Sequence, residues 1–181
     1  MSYLTAENLK DYLKCYPEDD TELERYAQAA QKIIETFIGY NPEQSQETEN
    51  YRGTGYYQMG LKRAHITEIQ SVTMNGEGLD LSNIAVSADS EDSNYIEYTD
   101  GTVFTKGVLY TVTYTAGWAE VPEDIVNAAY RIAGVLYAES DGNIGISSKS
   151  FGESGSRVFL NSSLKKYLED LVPYKIEKGI C

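Results

Sequence analysis

Apolar residues in this chain keep one period at each end and another in the middle, and that change limits the folds open to it. Leu23, Tyr26, Ala27, Ala30, Ile33, Ile34, Phe37 and Ile38 recur at steps of three and four, the stripe of an amphipathic helix. From about residue 51 to residue 117 the step is two. Val108, Tyr110, Val112 and Tyr114 there alternate with Leu109, Thr111, Thr113 and Thr115 and predict a strand. Helical spacing returns after Pro122 with Ile125, Ala128, Ala129, Ile132, Ala133, Leu136 and Tyr137. Helices on both sides of a β region predict an α+β fold, a small α-helical bundle of about four helices with an inserted antiparallel β unit.

Local signals place the boundaries. Leu4 and Leu9 flank Thr5 as a hydrophobic staple around an N-cap, which predicts a first helix to about Lys14. After an acidic turn at residues 17–20, Thr21 and Glu24 read as a capping box, and Gly39 stands where a helix C′ residue belongs. Residues 41–50 are polar and unpatterned and predict a linker. Residues 72–74 and 79–81 read as a hairpin around an Asn75-Gly76 turn, and residues 87–94 as an acidic loop between weaker strands. Pro122 suits the first position of the next helix. A Gly/Ser-rich loop at 140–157 holds a lone Phe151, a length that compact domains seldom carry without a purpose. The last helix is expected to open at Ser162 or Ser163, to pack Leu164, Tyr167, Leu168 and Leu171, and to stop before Pro173. The division is thus 1–40, N-terminal helices; 41–118, linker and β unit; 119–181, C-terminal helices, loop and tail.

Little catalytic chemistry is available. His65 is the only histidine, which removes His-rich metal sites and His–His acid–base pairs. It is expected to be a partly exposed strand-end residue. No phosphate-binding glycine loop or nucleophile elbow occurs. Asp89, Glu91, Asp92 and Asn94 offer oxygen ligands without EF-hand spacing and read as a solvated acidic loop. The expectation is no enzyme, no cofactor and no metal. Cys15 and Cys181 form no metal-type pair and no disulfide scaffold. The opening residues predict no secretory leader, and no apolar run is long enough for a membrane span, so synthesis in a cytoplasm is expected. Fifteen Lys+Arg against 28 Asp+Glu leave a net charge of −13, which argues against a surface that grips nucleic acid. Lys62, Arg63, Arg52, Lys165 and Lys166 are the local basic groupings, without the aromatic interleaving of a base-stacking platform. Sixteen Tyr against four Phe and one Trp predict a Tyr-rich sheet or a binding surface for a glycan or peptide.

The run Tyr114-Thr115-Ala116-Gly117-Trp118, then Val121-Pro122-Glu123-Asp124-Ile125 and Ala128-Ala129, resembles a signature of head–tail connector (adaptor) proteins of tailed bacteriophages. Leu4-Thr5, Leu9-Lys10, Leu13, Glu18-Asp19-Asp20 and the helix ending at Gly39 fit the same family. Tyr51-Arg52-Gly53 and Ile69, Val72, Asn75-Gly76 fit the β insertion of some members. The resemblance spans about residues 3–175. It implies a structural virion protein at the head–tail junction, a homo-oligomeric ring commonly of about twelve subunits beneath the portal protein. Such a ring extends the DNA channel, passes double-stranded DNA without sequence-specific binding, helps retain and release it, and seats the next neck or tail-completion protein. The extended β region and the tyrosine content leave another neck layer open, a head-completion or tail-terminator protein. Subunits at −13 repel one another, so assembly is expected to need a template such as the portal ring. Phe151, Phe159, Tyr167, Leu171, Tyr174 and Ile176 are the candidate partner-interface residues, because exposed aromatic and aliphatic side chains need a partner. For Tyr167 and Leu171 the alternative is packing inside the bundle.

Overall fold

A computed structural model of the 181-residue chain describes residues 2–14, 20–87, 94–140, 148–150, 156–158 and 164–176. They fall into two compact units. One is built from Ile38–Pro122 with residues from 174 onward, the other from Ser2–Phe37 and Glu123–Pro173.

The second unit holds the helices α1 (Ala6–Leu13), α2 (Thr21–Ile38, its last residue counted with the first unit), α3 (Glu123–Ser140) and α4 (Lys165–Glu169). Thr5 caps α1 as expected: its Oγ1 accepts from the Asn8 N–H at 3.3 Å, and Leu4 and Leu9 are both buried. Helix α2 starts on Thr21, and the Glu24 N–H donates to the Asp20 carbonyl at 2.9 Å. Asp20 therefore takes the cap position one residue before the expected Thr21. The buried residues of α2 and α3 are the ones the period picks out, Leu23, Ala27, Ala30 and Ile34 on one and Ile125, Ala128, Ala129, Ile132 and Ala133 on the other. Gly134 lets α1 come close: a Cβ there would stand 3.3 Å from Leu13 Cδ2, and Tyr12 stacks on Tyr130 at 4.9 Å.

The C-terminal part of this unit departs from expectation. Within the span read as a Gly/Ser loop, β8 (Ser148–Ser150) pairs antiparallel with β9 (Ser156–Val158), strands too short to show a period. Helix α4 opens after Leu164 with no side-chain cap, later than the serines suggested, and a 3-10 turn at Val172–Tyr174 takes in Pro173. Ser162 and Ser163 lie outside the described residues.

In the first unit every pairing between strands is antiparallel, and an isolated bridge between Glu43 and Trp118 is parallel. A four-stranded sheet runs β1 (Ser45–Arg52), β7 (Leu109–Ala116), β3 (Ile66–Met74), β4 (Glu77–Gly78). A three-stranded sheet runs β2 (Gln58–Gly60), β6 (Tyr95–Tyr98), β5 (Ile84–Val86). The expected Asn75-Gly76 turn is present, with Asn75 at φ 52° and Gly76 at φ 89°, but its second strand is the two-residue β4, directly after the turn, and not residues 79–81, where Leu81 opens a 3-10 turn. Tyr110, Val112 and Tyr114 of β7 are fully buried with Met59, Ile96 and Phe104. Two of the many tyrosines are thus core residues.

The stretch expected to be a linker is in large part β1, paired with β7 over its whole length from Ser45↔Ala116 to Arg52↔Leu109. Its less exposed positions are Ser45, Glu47, Glu49 and Tyr51, alternating with exposed Gln46, Thr48, Asn50 and Arg52. The period of two is there, but polar residues fill it.

Candidate functional site

Strand β1 is held by two basic residues on the turn between β2 and β3. Arg63 is 7% exposed. Its guanidinium donates to Glu47 Oε1 at 2.7 Å, to the Asn41 carbonyl at 2.6 Å, and to Ser45 Oγ and the Glu43 carbonyl. Lys62 donates to Glu49 Oε1 at 2.9 Å. The other oxygen of Glu49 accepts from the Tyr51 hydroxyl and, at 2.9 Å, from the Tyr114 hydroxyl, while Tyr51 Oη accepts from the Lys62 N–H at 3.1 Å. Of these two basic residues Arg63 is committed inside the unit, while Lys62, paired with Glu49, keeps an exposed side chain.

This cluster sets a pH window. Burial pushes Glu49 up, but the hydrogen bonds from Tyr51, Lys62 and Tyr114 and the Lys62 charge outweigh it, and the carboxyl titrates below its ordinary 4.5. Burial, and then the bond to Glu49, push the Tyr51 phenol above its ordinary 10.0; burial raises Tyr114 as well. The unfolded chain protonates Glu49 at higher pH than the folded chain does. Its contribution is therefore complete above pH 4.5 and is lost as pH falls through the lower folded value. The phenols contribute below pH 10.0 and lose that contribution as pH rises beyond it. In denaturant melts across pH, Glu49→Gln is expected to flatten the acid limb of stability, and Tyr51→Phe with Tyr114→Phe the alkaline limb. An acid limb unchanged in Glu49→Gln would remove Glu49 from the account.

Trp118, just past β7, is the centre of a second cluster. His65, at φ 55° beside the start of β3, stacks on it at 4.7 Å with planes 14° apart. Tyr40 lies at 6.1 Å and Tyr174 meets it edge-on at 5.7 Å. The backbone locks this seat: the Trp118 N–H donates to the Pro42 carbonyl at 2.9 Å and its carbonyl accepts from the Gln44 N–H at 3.0 Å. The Ile176 N–H donates to the Ile38 carbonyl at 3.1 Å. Tyr174 and Ile176, two of the candidate interface residues, thus belong to a segment seated on Trp118 and the end of α2. His65 is half-buried at a strand end, as expected, with its ring face given to Trp118.

In the helical unit, Tyr167 is half-buried beneath the Arg131 guanidinium, 5.7 Å from its ring centre, in a cleft of about 380 Å³ lined by Asp124, Asn127, Ala128, Arg131, Tyr167 and Asp170. Leu171 is fully buried, which leaves Tyr167, Tyr174 and Ile176 as the described candidates with surface to offer. Phe151 and Phe159 lie outside the described residues, as do Asp89, Glu91 and Asp92. Asn94 is buried and its amide donates to the Leu61 carbonyl at 3.0 Å. Among the described residues no group of three or more His, Cys, Asp or Glu is placed to hold a metal ion.

The sequence misses the non-local halves of both clusters. Trp118 stands out at the end of the YTAGW run, but His65, Tyr40 and Tyr174 reach it only through the fold.

A chain in the neck of an empty GTA particle computed with C6 symmetry shares this fold at TM-score 0.66 and 15% identity, over 96% of this chain and 89% of that one. A chain of the native gene transfer agent (GTA) virion matches at TM-score 0.66 and 14% identity, over 96% and 89%. One from the native GTA neck computed with C12 symmetry matches at 0.64 and 14%, over 94% and 87%. No curated protein matches the sequence. The profile of a family described as "Head completion protein" matches residues 2–168, nearly the whole chain. The chain belongs to the head completion protein family.

Proposed function

We propose that this protein is a structural component of a tailed-phage neck, made in the host cytoplasm and built into the head–tail junction. In this reading it forms a ring under the portal protein, extends the DNA channel, and helps retain and release packaged DNA. The observation that carries the reading is the family match over residues 2–168. The six- and twelve-fold symmetry of the GTA necks whose chains share the fold supports a ring. The seated segment with Tyr174 and Ile176 is proposed as one contact toward the portal or the next neck protein and Tyr167, in the helical unit, as a separate one; Phe151 and Phe159, outside the described residues, are proposed for the same role. A net charge of −13 suits a channel that DNA slides through, because like charge suppresses sticking. The protein acts by binding and shape, without catalysis.

Size fractionation of the native lysate with electron microscopy of the fractions tests this. The chain is expected to travel with tailed particles, and antibody is expected to label the head–tail junction. A chain found only as a free 20.2 kDa species, with intact particles free of it, overturns the neck assignment.

A further inference from the structure

Two aromatic groups of the helical unit share one strip of α3. Tyr130 and Arg131 follow Asn127 at the third and fourth places, so the three are neighbours on the helix surface. On one side Tyr12 of α1 stacks on Tyr130 at 4.9 Å with planes 27° apart, and stays 49% exposed. On the other, Tyr167 of α4 lies under Arg131, and Asn127 and Arg131 line the cleft of about 380 Å³ beside it. Three helices thus hold three rings and a guanidinium. Tyr and Arg are the residue types enriched where partners bind most strongly, and rings carried on helices lose little freedom when they bind.

The charge around the strip is predominantly acidic. Asp124 and Asp170 line the cleft, and the single methyl of Ala128 leaves room in it. Asp11, next to Tyr12, is close to the other ring: burial pushes the Tyr130 phenol above its ordinary 10.0, and the Asp11 charge adds to that push. Against these three acids stands Arg131, whose guanidinium is turned to the Tyr167 ring and forms no ion pair among the described residues. The next charges in sequence do not reverse the sign. Lys165 is paired with Glu169 at 3.9 Å, Lys166 beside Tyr167 is matched by Glu123 beside Asp124, and Lys14 by Glu7 on the same helix. Tyrosine rings rimmed by carboxylates are the complement of a guanidinium or ammonium: the ring face attracts the cation and the carboxylates accept its hydrogen bonds. The Arg131 guanidinium already meets the Tyr167 ring in this way. A phosphate backbone has the wrong sign for this face, and so does a second copy of a chain that totals −13.

We propose that this face of the helical unit, Tyr12 with Tyr130 and the cleft beside Tyr167, docks a basic segment of a different protein. An arginine or lysine of that segment sits between Asp124, Asn127 and Asp170. The inference deepens the contact assigned above to Tyr167, and rests on the neck reading only for which protein supplies the segment.

The test is calorimetric titration of the purified full-length chain with a capped peptide of alternating arginine and serine, and with the same peptide carrying glutamate for arginine. The arginine peptide is expected to bind and the glutamate peptide to give no heat. Any acidic protein attracts arginine to some degree, so the site is read from matched variants, each checked for folding by circular dichroism. Asp11→Asn with Asp170→Asn is expected to weaken binding about tenfold. Glu77→Gln with Asp100→Asn, an equal change of charge on the β unit, is expected to change it less than about twofold. Tyr12→Ser, which leaves the charge untouched, is expected to weaken it about fivefold. An arginine peptide that does not bind, equal losses from the two pairs of acids, or affinity unmoved by Tyr12→Ser overturns the docking face. Particle association is read separately. A chain that travels with particles yet binds no arginine peptide fails this inference and leaves the neck reading standing, while binding by a chain absent from particles does the reverse.

Discussion

Gly117→Ala is expected to cost this protein about 3–5 kcal/mol, which in a domain of this size lowers the melting temperature by roughly 10 °C or more. Gly117 sits at φ +93°, a conformation that L side chains seldom adopt. Conformation is the smaller part of the cost. A Cβ at this position would stand 2.4 Å from the Glu43 carbonyl oxygen, 2.7 Å from its carbon and 2.8 Å from the Pro42 carbonyl oxygen, all backbone atoms. The obstructing segment has little freedom to withdraw, because the Trp118 N–H, the Gln44 N–H and the Arg63 guanidinium tie it on both sides. Gly76→Ala is the control that separates the two effects. Gly76 has nearly the same φ, +89°, with nothing within 4 Å of the added carbon, so it carries the conformational cost alone, about 1–2 kcal/mol. Denaturant melts of both variants measure the difference. Equal, mild losses would mean that the 42–43 backbone gives way, and that the seat around Trp118 is looser than its hydrogen bonds imply.

How far this arrangement was legible in the sequence varies by element. The stripes of α2 and α3, the Asn75-Gly76 turn, Gly39 at φ +98° and strand β7 all carry their signal locally, in periods or in residues that favour a particular backbone. Strand β1 does not. Its inward positions are Ser45, Glu47, Glu49 and Tyr51, and polar groups there are tolerable only because Arg63, Lys62 and Tyr114 meet them from 13 to 65 residues away. A hydropathy pattern has no term for a carboxylate satisfied by a distant guanidinium. Tyrosine hid its roles for a related reason. Tyr110 and Tyr114 are core, Tyr51 joins the Glu49 cluster, and Tyr56 and Tyr57 are exposed, so one residue type fills three environments with nothing local to separate them. The family resemblance reached further than the residue-by-residue reading because it rests on the order of motifs, which the fold preserves when individual contacts cannot be seen.

Arg63→Leu is expected to cost about 2–4 kcal/mol and to loosen β1 before the rest of its unit. Leucine keeps much of the apolar volume, so the loss comes from the groups left behind: the Glu47 carboxylate, Ser45 Oγ and the Asn41 and Glu43 carbonyls, all of which Arg63 serves at once. Breaking a buried pair by removing one partner is more damaging than the pair's net contribution suggests, because the orphaned groups stay desolvated. Glu47 is 37% exposed at its side chain and recovers water in part, which holds the figure below that of a fully buried pair. Arg63→Lys separates charge from geometry: an ammonium restores the positive charge without the planar fork that reaches four acceptors, so it should recover less than half of the loss. High salt should not mimic either variant, since the guanidinium is nearly inaccessible to screening ions. Hydrogen exchange gives the local readout, with faster exchange expected through residues 43–52 and little change at Val112 in the sheet centre. The consequence reaches the proposed interface through the chain itself. The residues released, 41–44, carry the Pro42 carbonyl and Gln44 N–H that hold Trp118, on which Tyr174 rests. Arg63→Leu should therefore reduce incorporation into particles at temperatures where the protein is still folded. Normal incorporation with a fast-exchanging β1 would show that the seat for the C-terminal segment does not depend on this clasp.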